Sequence, residues 1–170
     1  MGSALTNQII SIAGSKGGVG CSSFTALISI TLSKNKNHKI AILDGTPFHQ
    51  SMLFSYLPLP TPAHSLVQLK PYEDHLNSKL IEKYFIAAGN ITYIPVTQNN
   101  DLNIPVNEIS NLISKTSTFF DFLLIDLSSF ADNQWAKIFE ISHKKIILAS
   151  LEHTSLVSLK KSKNVFQTTT

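Results

Sequence analysis

Short apolar runs of strand length alternate along this chain with segments of helical periodicity. Each run is rich in β-branched or other apolar residues, and a turn and a helical segment or loop follow it. This alternation is typical of repeated strand–helix–strand units, which build a parallel sheet between helices. We therefore expect an α/β fold with a doubly wound, mostly parallel sheet flanked by helices, and a functional site at the carboxyl ends of the strands. The predicted strands are residues 8–13, 39–43, 91–94, 121–126 and 145–149.

Helical spacing and prolines define the segments between the strands. Four prolines break residues 49–85 into short helical pieces, of which 76–84 is the best defined. The length of 170 residues suits one domain, so we assign residues 8–170 to a single domain and 1–7 to a tag or a disordered N-terminus. The other predicted helices are residues 24–34, 106–113, 135–141 and 155–166.

The charge composition excludes several mechanisms. All 14 basic residues are lysines, so the chain cannot supply an arginine finger or a bidentate guanidinium contact to phosphate. The net charge of +3 is modest, and DNA is therefore a less favoured partner. The single cysteine, Cys21, excludes a disulfide framework and favours a reducing, cytoplasmic compartment, and no apolar run reaches the length of a membrane span.

A glycine-rich loop joins the first predicted strand to the first predicted helix. Gly17, Gly18 and Gly20 lie in it, where glycines let backbone N–H groups wrap a phosphate against the N-terminus of a helix. Set against the phosphate-loop pattern G-x-x-x-x-G-K-[ST], Gly20 and Ser22 match. Ser15 stands at the first glycine position and Cys21 at the lysine position. The sequence thus predicts a phosphate-binding loop without its usual cation.

Two carboxylates end predicted strands and are expected at the same edge of the sheet as this loop. Asp44 follows the 39–43 strand, and Asp126 ends the 121–126 strand. Taken alone, an aspartate at a strand end is a turn former or a helix N-cap about as often as it is a functional residue. Their coincidence with the glycine loop favours a role in the site.

Residues Lys16 to Ser23 resemble the loop K-G-G-x-G-K-[ST]-[ST] of the MinD/ParA group of deviant Walker A ATPases, with Cys21 as the one departure. The strand ending in Asp44 is similar to the second acidic motif of that family, and Phe122–Asp126 looks like its Walker B strand. The resemblance covers residues 8–166 and implies a P-loop NTPase fold. It also implies that the C-terminal part of the family's domain is missing after Thr170.

The resemblance assigns roles within this loop and beside it. It implies a homodimer in which Lys16 reaches the nucleotide of the other subunit, and binding of ATP or ADP with Mg²⁺. It also implies that Ser22 and Asp126 hold Mg²⁺ directly or through water, and that Asp44 is the acidic catalytic group. The nucleotide-binding residues carried over are Lys16, Gly17, Gly18, Val19, Gly20, Cys21, Ser22 and Ser23.

Three departures from the family pattern point to weak turnover. Cys21 removes one positive charge from the phosphates, so the affinity for ATP should fall. Thr46 stands where the family has a second carboxylate, and it cannot act as a base. Ser128 replaces the proline that usually follows the Walker B aspartate. ATPase activity is therefore expected to be weak or absent.

The loop form K-G-G-x-G-x-S looks most like the TadZ/CpaE branch of the group, which places pilus-assembly machinery at a cell pole. This resemblance implies a cytoplasmic, hydrolysis-poor scaffold that localises a pilus or secretion-type assembly, with polar or peripheral membrane placement through its protein partners. Two alternatives remain open. One is a slow partition or cell-division positioning ATPase, and the other is an interaction module that binds no nucleotide.

Overall fold

The computed structural model describes residues 7–45, 51–97, 104–127 and 136–166. Within these residues, six strands form one sheet in the order β3-β4-β2-β5-β1-β6. All neighbouring strands are parallel except β3, which pairs antiparallel with β4. The strands are β1 (Gln8–Gly14), β2 (Ile40–Asp44), β3 (Ala87–Ala88), β4 (Ile91–Pro95), β5 (Phe122–Leu127) and β6 (Lys144–Leu148).

Helices connect these strands and cover the sheet. Two stretches of 3₁₀-helix, Leu53–Ser55 and Leu66–His75, occupy the long connection between β2 and β3. Within the described residues, no helix combines the length and the apolar character needed to cross a membrane. The α-helices are α1 (Cys21–Ser33), α2 (Ser78–Tyr84), α3 (Val106–Ser117), α4 (Ala136–Glu140) and α5 (His153–Phe166).

The expected doubly wound, mostly parallel sheet is confirmed. Each of the five predicted strands is present to within one residue at either end, and the two-residue β3 is an additional antiparallel edge strand. The helix predicted over 76–84 begins only at Ser78, because the Asn77 side chain caps it by accepting the Leu80 N–H at 3.0 Å. Thr46, Ser128 and Trp135 lie outside the described residues.

Helix α1 and the long connection bury the two faces of the sheet. On one face, α1 and the turn at Leu53 pack over Ile12, Ile42 and Leu124. On the other face, α2, α3 and the Leu66–His75 segment pack over Leu43 and other side chains of the same strands. The central strands β2 and β5 are therefore buried on both sides, which explains their continuous apolar sequences.

Candidate functional site

The loop between β1 and α1 has a backbone that only glycine adopts without strain. Gly18 and Gly20 have φ angles of +80° and +97°. Gly20 is the N-cap of α1, and its carbonyl accepts the Phe24 N–H at 2.9 Å. The first N–H groups of α1 have no carbonyl partner within the helix, and the loop brings them to the carboxyl edge of the sheet. This geometry suits an anion at the start of α1.

Gly14 lets the loop fold back over the end of β1. A Cβ atom on Gly14 would lie 2.6 Å from Val19 Cγ2 and 2.8 Å from the Lys16 carbonyl oxygen. Any side chain at this position would therefore displace the loop. The phosphate-loop pattern does not predict this residue, because its first glycine aligns with Ser15. The signal available was a β-branched strand that ends in glycine directly before a glycine-rich loop.

Cys21 occupies the position at which a phosphate loop usually has its lysine. It is the first residue of α1, and its side chain is buried. Burial and the nearby negative charge of Asp126 raise the pKa of its thiol to about 11. The thiol is therefore neutral at pH 7, and it supplies neither a cation nor a reactive thiolate.

The two predicted carboxylates lie side by side. Asp44 and Asp126 are directly opposite each other in the register between β2 and β5. Asp44 is buried, and its Oδ2 accepts hydrogen bonds from the Ser51 hydroxyl and, at 2.9 Å, from the Tyr93 hydroxyl. Burial, and then the negative charge of Asp44, raise the pKa of Tyr93, so its phenol stays protonated and donates. Sequence reasoning missed Tyr93 and Ser51, since neither belongs to a recognisable motif.

Asp126 has the chemistry of a cation ligand. Its side chain is fully buried, and among the described residues neither carboxylate oxygen makes a hydrogen bond of ordinary geometry. Burial raises its pKa to about 7; the nearby Ser22 hydroxyl opposes this rise by interacting with the carboxylate, and the charge of Asp44 adds to it. A buried carboxylate with so little hydrogen bonding is costly unless it is protonated or binds a cation. Together with the Ser22 hydroxyl it supplies the oxygen donors that Mg²⁺ prefers, so these residues fit that ion.

Lys16 makes an ion pair with Glu152, which lies in the connection between β6 and α5. Both side chains are partly or largely exposed, so solvent screens the interaction. Within this chain, the ammonium of Lys16 is therefore turned toward the β6–α5 connection. Glu152 was not predicted as a site residue. Its position just after β6, at the same carboxyl edge as Asp44 and Asp126, is the signal that was available.

Hydrogen bonds between hydroxyl groups connect the β1–α1 loop to α5. The Ser15 hydroxyl bonds to the buried Ser155 hydroxyl, and Ser155 Oγ accepts the Ser150 N–H at 3.0 Å. The Ser15 N–H donates to the Leu148 carbonyl at 2.8 Å. The loop is thus held from both sides, by β1 beneath it and by the β6–α5 connection beside it.

The structure brings all the predicted site residues to one edge of the sheet. The loop from Lys16 to Ser23 lies above the carboxyl end of β1. Asp126 lies one residue before the end of β5, which pairs with β1, and Asp44 ends β2, which pairs with β5. The arrangement combines a glycine-shaped backbone at the start of a helix, a buried carboxylate near a serine hydroxyl, and a buried neutral thiol. The roles assigned to the individual residues stay predictions.

No protein-family model matches this sequence, and no curated protein matches it significantly. Solved structures do match. A ParA family ATPase from Chlorobium tepidum superposes with a TM-score of 0.78 at 20% identity, over 92% of this chain and 66% of the other. The septum site-determining protein MinD of Pyrococcus horikoshii, solved with Mg-ADP, matches with a TM-score of 0.68 at 19% identity, over 95% and 65%. The BceF tyrosine kinase domain matches with a TM-score of 0.67 at 16% identity, over 95% and 64%.

This chain therefore spans about two thirds of the length of the structures it matches. A tyrosine kinase domain is among them, so the likeness by itself selects no activity. At these identities it is the fold that is shared. The glycine loop, the sheet order and the superpositions agree that the chain has the P-loop NTPase fold of the ParA and MinD ATPases.

Proposed function

We propose that this chain is a hydrolysis-poor, MinD/ParA-like nucleotide-binding protein that acts as a positioning scaffold. The observation that carries the proposal is the contrast within the loop. The glycine backbone and the oxygen ligands suit a Mg²⁺-bound nucleotide, whereas the position of the phosphate-binding lysine holds the buried, neutral Cys21. Binding without efficient hydrolysis is the behaviour that this combination favours.

The nucleotide would be ATP or ADP, with its phosphates on the backbone N–H groups between Lys16 and Ser23. Ser22 and Asp126 would hold Mg²⁺, directly or through water, and the ion would neutralise part of the phosphate charge. Cys21 contributes no charge, so we expect weak affinity. The likeness to a MinD structure that contains Mg-ADP supports this choice of ligand.

Weak or absent turnover follows from the surroundings of the acidic groups. Asp44 is buried and its Oδ2 accepts hydrogen bonds from two hydroxyl groups, so this oxygen is already occupied and would have to give up a hydrogen bond to take a proton from water. Thr46, in place of the second carboxylate of the family motif, carries no group that could take a proton from water. Asp44 remains the one candidate catalytic residue of the site.

In a homodimer formed across the nucleotide, Lys16 would contact the nucleotide of the other subunit. The Leu151 side chain is 96% exposed directly beside Glu152, the residue that pairs with Lys16. Leu151 therefore lies where a dimer across the nucleotide would bring the two subunits together, and such a dimer would bury it. The dimer would then recruit a protein partner in the cytoplasm, and the loop form favours a pilus or secretion-type assembly at a pole.

One observation favours a second candidate function. Lys16 is already paired within its own subunit and Cys21 is neutral, so no free cation of the loop faces a phosphate. An interaction module that binds no nucleotide would tolerate both features. Nucleotide binding distinguishes the two candidates directly.

Calorimetric titration with Mg-ATP and Mg-ADP tests the proposal. We expect weak binding by the wild type, and binding about tenfold tighter by Cys21→Lys, because an ammonium returns to the phosphates; tenfold is about 1.4 kcal/mol. Cys21→Met is the matched control, since methionine has similar length without the charge. Binding by none of these proteins would contradict the proposal and favour the interaction module. ATP hydrolysis at a rate ordinary for such ATPases, lost in Asp44→Ala, would instead favour a partition or cell-division ATPase.

A further inference from the structure

A second concave site lies at the end of the sheet opposite the glycine loop. A cavity of about 490 Å³ opens between the loop before β2, helix α2 and the residues that precede β5. Because β1, β2 and β5 are parallel, this position is the amino edge of the sheet, whereas the glycine loop lies at the carboxyl edge. The volume is within the range of small-molecule sites, roughly 300–1,000 Å³.

The wall of this cavity is apolar and firmly packed. Ile81, Phe85 and Phe120 line it and are buried in the core, so they form a fixed surface. Phe119 lines it beside them, and Ile86 is 60% exposed where it contributes to the lining. A flat apolar body placed here would cover mainly the exposed surface of Ile86 and the partly exposed surface of Phe119, because the other three side chains are already buried.

Two lysines lie at the rim of the cavity. The side chains of Lys36 and Lys39 are exposed there, and no acidic side chain pairs with either among the described residues. Glu82 also lines the cavity, and Asp121 accepts the Lys39 N–H at 2.7 Å, so two carboxylates lie near the two lysines. Neither lysine makes an ion pair with a carboxylate among the described residues, so each ammonium can pair with the single anionic group of an apolar molecule.

The backbone that carries the two lysines is held in place before any ligand arrives. The Asn90 side chain donates to the carbonyl oxygens of Asn35 and His38 at 3.1 and 2.9 Å. The Lys39 N–H donates to Asp121 Oδ2 at 2.7 Å. The His38 ring packs edge-on against Phe122 with centroids 5.1 Å apart. A backbone fixed by these contacts loses little conformational entropy when a ligand binds.

We propose that this cavity binds a small amphiphilic anion, with a flat apolar ring system against the aromatic wall and one carboxylate or sulfonate group at Lys36 and Lys39. The site is separate from the nucleotide loop and does not depend on it. Nucleic acid fits it less well, because a chain of phosphates needs a longer run of cations than two lysines.

Fluorescence titration with 8-anilinonaphthalene-1-sulfonate tests the charge requirement, since this probe has the proposed chemistry. We expect the double variant Lys36→Gln/Lys39→Gln to bind the probe at least fivefold more weakly than the wild type. The matched control is Lys79→Gln/Lys83→Gln, which removes two lysines from the neighbouring helix α2 that do not line the cavity. Equal weakening by both double variants would overturn the proposal, because the effect would then reflect net charge alone.

Filling the cavity tests the location. Ser78 is exposed and lines the cavity, whereas its neighbour Lys79 does not. We expect Ser78→Trp to lower the affinity for the probe at least fivefold and Lys79→Trp to leave it unchanged. Unchanged affinity in Ser78→Trp would mean that the probe binds other exposed apolar surface, and it would overturn the proposal. Circular dichroism and thermal unfolding verify that each variant is folded.

Competition distinguishes an anion site from a general apolar surface. 1-Naphthoate should displace the probe, and 1-naphthalenemethanol, which has the same ring system without the charge, should displace it at least fivefold less effectively. Equal displacement by the two compounds would contradict the proposed role of the lysines. Titrations with Mg-ATP should be the same in Ser78→Trp and wild type, so this test stands whatever the outcome at the nucleotide loop.

Discussion

Gly14 shapes the loop through close contacts, whereas Gly18 and Gly20 shape it through their positive φ angles. Alanine at this position would place its Cβ 2.6 Å from Val19 Cγ2 and 2.8 Å from the Lys16 carbonyl, and the carbonyl belongs to the backbone that must move. We expect Gly14→Ala to lower the free energy of unfolding by about 2 kcal/mol, as crowding a packed site does. Urea unfolding monitored by circular dichroism measures the change.

Gly17→Ala is the control, because a Cβ there meets no atom within 4 Å and the residue does not have a positive φ. We expect it to change the free energy of unfolding by less than about 0.5 kcal/mol. Equal loss of stability in both variants would show that the close contact at Gly14 is not the cause.

Asp126 should make stability depend on pH near neutrality. Its pKa is about 7 in the folded chain and 3.8 at its ordinary value, so its contribution to stability is full below about pH 4 and is lost as pH rises through 7. Asp126→Asn removes this loss. In the absence of Mg²⁺, we expect the free energy of unfolding of the wild type to fall by about 2 kcal/mol more than that of the variant when the pH rises from 5.5 to 8.

Urea unfolding at the two pH values, with chelator present, measures this difference. Asp121→Asn is the matched control: it neutralises a carboxylate at the opposite end of the same strand, where the side chain already accepts the Lys39 N–H. A gain in Asp126→Asn that is the same at both pH values would contradict the assignment, since a packing effect does not titrate.

In the proposed nucleotide complex, Glu152 in the β6–α5 connection would compete with the nucleotide for Lys16. The Lys16–Glu152 ion pair is exposed and contributes at most about 1 kcal/mol to folding, so Glu152→Gln should leave the unfolding temperature almost unchanged. It should nevertheless tighten the binding of Mg-ATP about threefold, because the ammonium no longer has to leave a carboxylate. Calorimetric titration measures the affinity.

Glu140→Gln, which removes an exposed carboxylate from the end of α4, serves as the control. In the Lys16→Ala background, Glu152→Gln should have no effect, because the cation that it releases is gone. Weaker binding in Glu152→Gln alone would indicate that Glu152 itself contacts the nucleotide, and the competition would then be ruled out.

The central strands β2 and β5 can be predicted from the sequence because both faces of the sheet are covered there, so their side chains are apolar except for Asp44 and Asp126. The boundaries of other elements depend on single backbone features. Helix α1 begins at Cys21, three residues before its apolar spacing starts, because Gly20 adopts a left-handed conformation. The Leu66–His75 segment is 3₁₀ rather than α-helical, and Pro71 within it cannot donate a helical hydrogen bond.

Some residues of the site can be predicted from local sequence, and others cannot. Residues of the loop and the strand ends carry local signals, namely glycines between a strand and a helix and aspartates after apolar runs. Tyr93 bonds to Asp44 across 49 positions of the sequence, and Glu152 pairs with Lys16 across 136. Such partners depend on strand order and register, which no local pattern specifies.

The two ends of the sheet have different chemistry. The carboxyl edge carries the glycine loop, Asp44 and Asp126, and the exposed Leu151 at its rim. The amino edge carries the cavity with Lys36 and Lys39 at its rim. A dimer that buries the carboxyl edge would leave the amino edge accessible, so ligands at the cavity and self-association at the loop should be independent of each other.

Self-association driven by nucleotide is the remaining expectation. In a symmetric dimer across the nucleotide, each subunit would bury one copy of Leu151, so one substitution removes two apolar contacts. Since complete burial of a leucine contributes about 1.5–3 kcal/mol, Leu151→Ser should weaken a Mg-ATP-dependent dimer at least tenfold. The affinity of the monomer for nucleotide should not change, because the side chain has no role in the loop.

Sedimentation velocity with Mg-ATP, with Mg-ADP and without nucleotide measures this association. Ile86→Ser is the matched control, since it removes an apolar side chain of similar size that is 60% exposed at the opposite edge of the sheet. A dimer that resists Leu151→Ser but is lost in Ile86→Ser would place the interface at the amino edge. A monomer under all three conditions would contradict the proposed dimer. Lys16 would then stay paired with Glu152 of its own subunit, with or without nucleotide.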